Sequence, residues 1–275
     1  MDAKLLLIQA LSPIHAGTGQ GVGVIDQPIA REKATDIPFV PGTTIKGVLR
    51  DACPEGDRNN IFGPGTGEAE LYAGAATFTD ARLLLLPVRS LKGVFAWVTS
   101  PLLLKRLIRD VGDLNKTTSF NMGEDDCIIS NISTLKLNDG KVILEDLDLN
   151  SKSSKEVDAW AEWLADSLYG KDTEWHKIMQ ERLCIISDDN LSYLLETATE
   201  ITARIRLDVD KKTVAQGALW YEEALPVETV LAGIVIAAKN KDKVFETVKM
   251  LTKTTLQFGG NATVGRGLCK ANLIG

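Results

Sequence analysis

The chain has 275 residues, of which 44% are hydrophobic and 25% are charged, and its formal net charge is −6. This composition excludes a disordered chain, a collagen-like repeat and a membrane bundle, and the length suits one elaborated domain or two small ones. The four cysteines form no CxxC pair and only two histidines are present, so we exclude zinc-finger spacing and expect no disulfide framework. Neither a signal peptide nor a membrane span is evident at the sequence level, which predicts a cytoplasmic protein.

Hydrophobic periodicity, capping residues and turn residues predict a series of short strands and helices along the chain. In chain order these are a buried strand Lys4–Leu11, a Gly- and Pro-rich loop 12–41, a helix from a cap at Thr43 or Thr44 to Pro54, a strand stretch Gly74–Val88, a partner strand Gly93–Thr99 after a turn at Ser90–Lys92, a helix from Pro101 to Asp110, a weak strand Lys141–Leu144, helices at Glu156–Leu168 and Leu191–Thr199, a hairpin from Ile201 to Tyr221 with its turn at Asp210–Thr213, a buried strand Val230–Ala238, a helix Lys241–Leu251 and a closing strand Gly267–Leu273.

The order of these elements indicates an α+β fold. Without the middle of the chain it is strand, helix, strand, strand, helix, and then strand, helix, strand, which is typical of a ferredoxin-like or RRM-like plan in one or two copies. A doubly wound parallel sheet needs helices between nearly all strands, and the strand pair within 74–99 contradicts that alternative. We therefore predict a ferredoxin-like palm formed by residues 1–110 and 226–275.

The charge is distributed unevenly, which indicates an insertion between the two palm segments. Residues 110–200 hold 8 basic and 20 acidic side chains, whereas the segments on either side carry a small positive excess. Three of the five tryptophans, Trp160, Trp163 and Trp175, lie in this acidic region. We predict an acidic helical insertion at 111–200 with a small core of its own, and a phosphate-binding face made by the basic flanks is a further possibility.

Residues 201–209 alternate strictly between apolar residues at odd positions and Thr, Arg, Arg and Asp at even positions. This pattern predicts a half-exposed strand whose arginines face outward. Together with the next strand it forms the protruding hairpin, a thumb at 201–225.

Two glycine-rich segments are candidates for phosphate-binding loops. The segment Gly17–Gly23 has a glycine at every second position, which approaches the GxGxxG fingerprint of dinucleotide-binding proteins. It is followed by Pro28, Pro38 and Pro41 instead of a helix, so that fingerprint is rejected. The segment 259–267 holds four glycines and one arginine, a composition whose backbone amides and guanidinium suit a phosphate. The run Asp146–Asn150 resembles the start of a calcium loop but lacks its sixth-position Gly and its final Glu.

Several motifs in a fixed order together resemble the RAMP superfamily of CRISPR-associated proteins. They are LSPIHAGTG at 11–19, GVIDQP at 23–28, IPFVPGTTIKGVLR at 37–50, IFGP at 61–64, AATFTDARL at 75–83, residues 89–97 and the glycine loop 259–267. The resemblance covers nearly the whole chain, is weakest in the acidic insertion, and is greatest to the backbone (Cmr-type) subunit of type III-B effector complexes.

The resemblance implies a function and a set of site residues. It implies copies stacked head to tail along a crRNA guide, other Cmr-type subunits as partners, no membrane partner, and metal-dependent (Mg or Mn) cleavage of complementary target RNA at regular intervals in antiviral defence. The catalytic positions it implies are Asp26, which is also the metal candidate, His15, Glu222 and Glu223. The guide-binding positions it implies are Lys46, Arg50, Arg266, Gly259, Gly260, Gly265 and Gly267.

The chemistry of RNA cleavage fits these residue types but leaves alternatives open. Attack by the 2′-OH needs a base and stabilisation of charge on the phosphorane oxygens, and Asp26 suits either a base or a metal ligand. Which of Glu222 and Glu223 matters is also open. A non-catalytic RNA-binding scaffold is the principal alternative function. A guide-processing ribonuclease is a third alternative. It is disfavoured because that class usually uses a histidine as general base, and His15 is the single histidine in the motifs of the resemblance.

Overall fold

The computed structural model describes residues 2–19, 24–65, 72–112, 114–207 and 214–275. Its strands and helices, in chain order, are β1 (Asp2–Ala10), β2 (Phe39–Val40), α1 (Gly42–Ala52), α2 (Glu55–Phe62), β3 (Ala76–Phe78), β4 (Ala81–Arg89), β5 (Phe95–Thr99), α3 (Pro101–Val111), β6 (Asp126–Ile129), β7 (Lys141–Leu144), β8 (Leu147–Ser153), α4 (Lys155–Tyr169), α5 (Thr173–Arg182), β9 (Leu183–Ile186), α6 (Asp188–Thr197), β10 (Glu200–Leu207), β11 (Val214–Ala224), β12 (Val230–Ala237), α7 (Lys241–Leu251), β13 (Leu256–Gln257) and β14 (Leu268–Ile274). Within these ranges no helix combines the length and the apolar character needed to cross a bilayer.

The predicted ferredoxin-like palm is confirmed by the order of its strands. Strand β1 lies between β14 and β12, β12 is followed by β4, and all neighbours in this set are antiparallel. The connections β1–α1–β4 and β12–α7–β14 are therefore two split βαβ units that interleave in one sheet. This arrangement brings the two ends of the chain together, and with them the loop that follows β1 and the glycine loop that precedes β14.

Side chains that alternate along β1 pack on opposite faces of this sheet. Leu6 and Ile8 belong to a core with α1 and α7, whereas Leu5 and Leu7 belong to a second core with α3 and α4. Trp160 of α4 is fully buried in the second core. The expectation of a separate small core in the acidic insertion was therefore wrong, because the insertion shares the second core with the palm.

The insertion contains the predicted strand β7, with the limits Lys141–Leu144, and three strands that the sequence did not predict, β6, β8 and β9. Strand β9 pairs with the palm strand β5, β6 pairs with β9, and β8 and β7 follow, so the insertion extends the palm sheet. Helix α5 was likewise missed, as was α2 in the first part of the chain. The segment limits 1–110, 111–200, 201–225 and 226–275 stay a prediction.

Two details near α1 differ from the sequence prediction for a single physical reason. The predicted strand 74–88 is divided into β3 and β4 at Thr79 and Asp80. Asp80 Oδ1 accepts a hydrogen bond of 2.8 Å from the Gly42 amide, at the first residue of α1. The helix therefore begins before Thr43 and is capped by Asp80 from the link between β3 and β4, instead of by Thr43 or Thr44.

The hairpin is a separate two-stranded sheet of β10 and β11, as predicted, and its turn Asp210–Thr213 lies outside the described residues. The predicted outward orientation of its arginines holds for Arg206, which is exposed, but not for Arg204, and the apolar positions 201 and 205 are not buried. Ile201 and Ile205 are 53% and 51% exposed, whereas Arg204 is turned towards the Glu222 carboxylate, 3.4 Å away. The apolar face of β10 is exposed because its polar face lies against the glycine loop.

Candidate functional site

The long loop after β1 folds back on itself and lies along the edge of β11. Gly17 forms an antiparallel bridge with Ile29, and the Ala30 amide donates to the Ala16 carbonyl over 2.7 Å. Gln27 pairs in parallel with β11, because its amide donates to the Tyr221 carbonyl and its carbonyl accepts from the Glu223 amide, each over 3.0 Å. The part of the glycine segment at 20–23 lies outside the described residues.

Asp26 stands at the exposed end of this pairing. Its Oδ2 accepts a hydrogen bond of 2.7 Å from the Tyr221 amide, which fixes the side chain against β11. Its Oδ1 has no partner among the described residues, and the side chain is exposed to solvent. A carboxylate oriented in this way, with one oxygen open, can accept a proton or ligate a metal ion.

Glu223 is buried and holds the same loop from within. One oxygen accepts from the Ile29 amide over 3.1 Å, and the other accepts from the Arg31 guanidinium over 2.6 Å and from the Thr199 hydroxyl over 3.0 Å. Its exposed fraction is 3%. Because its oxygens are directed to protein donors, Glu223 orients the loop that carries Asp26.

His15 connects the loop to both β11 and the glycine loop. Its Nδ1 donates to the Glu223 carbonyl over 2.7 Å, and its own carbonyl accepts from the Gly260 amide over 2.8 Å. The ring is buried, with Nε2 directed at Gly17. His15 therefore fixes the position of the glycine loop relative to β11.

Glu222 is also 3% exposed but belongs to a different network. Its Oε1 lies 3.3 Å from Arg266 and 3.4 Å from Arg204, and its Oε2 accepts from the Asn261 amide group over 2.8 Å. Arg266 further pairs with Glu200 over 3.1 Å. The predicted guide-binding guanidinium of Arg266 is thus engaged with two carboxylates, and the network joins the glycine loop to the hairpin.

At two positions of the glycine loop, Gly259 and Gly267, close contacts with backbone leave no room for a side chain. Gly259 has φ +88°, and a Cβ there would overlap the His15 carbonyl, whereas a Cβ at Gly267, with φ +74°, would overlap the Phe258 carbonyl. The amides of Gly260, Gly265 and Gly267 donate to the carbonyls of His15, Ala262 and Pro13. The predicted phosphate-facing amides at these three positions are thus bonded to protein in this structure.

The two predicted guide-binding side chains of α1 differ in their surroundings. Arg50 donates to the Gly63 carbonyl over 2.8 Å and to Asn59 over 3.1 Å, which ties α1 to the segment after α2. Lys46 has no hydrogen-bond or ion-pair partner among the described residues and lines an open groove with Thr43 and Tyr72. Lys46 is thus the cation of this helix that is available to an anionic ligand.

Sequence reasoning missed Arg31, which binds Glu223, the Leu195 carbonyl of α6, and Asp36. No periodicity or motif marks this residue, because its partners lie 5 to 192 positions away in the chain. The described residues contain no group of three or more His, Cys, Asp or Glu side chains that could jointly hold a metal ion. Asp26 is the open carboxylate among the four predicted catalytic residues.

Comparisons with known proteins show the family and the fold of the chain. The sequence model of the RAMP superfamily matches residues 7–270. The chain is 39% identical to the CRISPR system Cmr endoribonuclease Cmr4 of Pyrococcus furiosus, with 99% of this chain and 96% of that protein covered. The crystal structure of oligomeric Cmr4 from the same organism matches with a TM-score of 0.76 at 31% identity, over 100% of this chain and 98% of that one. A chain of the type III-B Cmr-beta complex bound to cognate target RNA shares the fold, with a TM-score of 0.77 at 20% identity and coverage of 99% and 97%.

Proposed function

Because the chain belongs to the RAMP superfamily over nearly its whole length, we propose that it is the backbone subunit of a type III-B CRISPR effector complex. It binds crRNA and cleaves complementary target RNA, at regular intervals and within the cytoplasm, in antiviral defence. The observation that carries this proposal is the exposed Asp26 carboxylate, held by the Tyr221 amide on the loop where the family resemblance expects the cleaving aspartate.

The assembly follows from the same resemblance. Head-to-tail copies make a heterologous contact, which leaves open ends for other Cmr-type subunits to cover. The 39% identical relative is named an endoribonuclease, and a solved relative is described as oligomeric. Lys46, open to solvent on α1, is the side chain best placed to contact guide phosphate.

The reaction requires a proton acceptor or a metal ligand at the scissile phosphate, and the Asp26 carboxylate can serve as either. Its open Oδ1 either takes the proton of the attacking 2′-OH or holds a divalent metal ion. A single carboxylate fits Mg²⁺, which commonly uses one or two carboxylates together with phosphate oxygens and water. When bound, such an ion would stabilise the charge that develops on the phosphorane oxygens. Arg266, Glu222, Glu223 and His15 orient the segments around Asp26 and are positioned inside the protein.

The test is cleavage of a labelled, guide-complementary RNA by the reconstituted complex with Mg²⁺. We expect evenly spaced cuts from wild type and none from Asp26→Asn, with guide retention equal in both. Asp242→Asn removes another exposed carboxylate, on α7, and is the matched control, which should cut like wild type. Chelation of the metal with EDTA should stop cleavage if a divalent ion is required. Guide binding without cuts in any sample would instead identify a non-catalytic scaffold.

A further inference from the structure

Among the attachments of the loop that carries Asp26, one guanidinium group joins the loop to both β11 and α6. Arg31 Nη2 donates to Glu223 Oε1 over 2.6 Å and to the Leu195 carbonyl over 2.8 Å, while Nη1 donates to the Asp36 carbonyl over 3.0 Å. The Arg31 side chain is 16% exposed and that of Glu223 is 4% exposed. A charge-assisted contact between such shielded groups is stronger and more directional than a surface ion pair.

These contacts join three parts of the fold at one point. Glu223 belongs to β11, Leu195 to α6 of the insertion, and Asp36 to the far end of the same loop. Glu223 also accepts from the Ile29 amide, two residues before Arg31 and three after Asp26. The short chain from 26 to 31 is therefore bound at both ends, by Tyr221 at Asp26 and by Glu223 at Ile29 and Arg31.

We propose that Arg31 is a positioning residue for Asp26, and that Glu223 acts as its anchor instead of as an acid or base. This inference rests on the proposed function. Displacement of a reacting group by about 1 Å can slow a reaction about 100-fold, so a loosened loop costs rate even where the loop makes no contact with substrate. Because both side chains are shielded and directed to protein partners, we expect their loss to leave the binding of guide and target unchanged.

The main experiment measures single-turnover cleavage at saturating target by the guide-loaded complex. We expect Arg31→Ala to slow cleavage by about 10- to 100-fold, with target affinity and guide retention unchanged. Arg106→Ala is the matched control, because Arg106 binds Glu32 of the same loop over 2.7 Å with a similar exposure of 21% but does not contact β11. It should remain within about threefold of wild type, since the contacts of Asp26 stay intact.

Two further readouts separate positioning from catalysis by Glu223. Glu223→Gln should slow cleavage without removing either limb of the pH–rate profile. The double variant Arg31→Ala/Glu223→Gln should be no slower than the slower single variant, because each substitution disrupts the same Arg31–Glu223 contact, here called the clamp. Loss of a limb of the profile in Glu223→Gln, or wild-type rates from Arg31→Ala, would overturn the proposal.

Amide hydrogen exchange in the complex tests the clamp independently of activity. Exchange at Gln27 and Ile29 should accelerate in Arg31→Ala and stay unchanged in Arg106→Ala, while the core strands β1 and β12 remain protected. Arg31→Lys keeps the charge but reaches fewer acceptors, and should give an intermediate effect. Unchanged exchange in Arg31→Ala would refute the clamp. Absence of cleavage by wild type would refute the proposed function alone.

Discussion

Substitution of single glycines in the loop 259–267 tests whether close packing or backbone conformation fixes its shape. Gly259 and Gly265 have nearly the same φ, +88° and +79°, but a Cβ at 265 meets nothing within 4 Å. A Cβ at 259 would overlap the His15 carbonyl oxygen and lie 2.9 Å from its carbonyl carbon. Alanine at either position therefore has the same conformational penalty, and only Gly259→Ala adds a collision with backbone.

The magnitudes follow from these two terms. The left-handed conformation costs an alanine about 1–2 kcal/mol, so this is the expected loss for Gly265→Ala. Overpacking against backbone adds about 1–3 kcal/mol, so Gly259→Ala should lose about 2–5 kcal/mol. The collision pushes on His15, so we also expect Gly259→Ala, and not Gly265→Ala, to slow RNA cleavage.

The free energy of unfolding of both variants is measured by denaturant titration, with Gly260→Ala as a reference whose added Cβ makes only an ordinary 3.5 Å contact. Near-equal losses in Gly259→Ala and Gly265→Ala would show that the His15 contact does not constrain the loop. A Gly265→Ala loss larger than that of Gly259→Ala would contradict the packing argument altogether.

Three further predictions concern charged groups. Glu222→Gln should lower the free energy of unfolding by about 3 kcal/mol in denaturant titration, the lower end for breaking a buried pair, because Glu200 still faces Arg266. Lys46→Ala should weaken guide binding and make its dependence on log salt shallower by about 0.7 per lost phosphate contact, and a slope equal to wild type would exclude that contact. Burial raises the pKa of Glu228, so the free energy of unfolding falls as pH rises from 4.5 through the raised pKa. Glu228→Gln should therefore have a higher Tm than wild type at pH 8 and the same Tm at pH 4. Equal Tm values of the two proteins at both pH values would refute this prediction.

The palm was predictable because its elements carry a clear periodicity. Helix α7 has the predicted limits Lys241–Leu251. Strand β12 ends one residue before its predicted limit, and β14 is shifted by one residue at both ends. Each lies between turn residues and presents an apolar face to the sheet. The fold order follows once these elements are placed, because only an interleaved βαβ pair buries both helices on one sheet face.

The strands of the insertion could not be predicted in the same way. Strand β9 is a run of four buried residues, Leu183–Ile186, and so short an apolar run does not distinguish strand from helix. Its pairing with β5 joins residues 86 positions apart, such as Trp97 and Leu183. The acidic composition indicated an insertion, but shared packing with the palm depends on tertiary contacts that composition does not encode.

The candidate site shows the same division between local and long-range information. The structure brings His15, Asp26, Glu222 and Glu223 together around β11, whereas their roles in cleavage stay a prediction from the family resemblance. The burial of Glu222 and Glu223 was not predictable, since a Tyr-Glu-Glu sequence at a strand is compatible with a solvated end. The importance of Arg31 was equally hidden, because it depends on a carboxylate 192 positions away in the chain.

The adjacent glutamates are both buried because β11 is covered on two sides. Successive side chains of a strand point to opposite faces, so Glu222 and Glu223 cannot serve the same neighbours. Glu222 balances the arginines of the hairpin and the glycine loop, whereas Glu223 secures the loop that carries Asp26. The backbone of the same strand, at Tyr221, binds Asp26 directly. Strand β11 is therefore the element through which a change in either network reaches Asp26, and loss of activity on substitution of either glutamate does not require that it touch RNA.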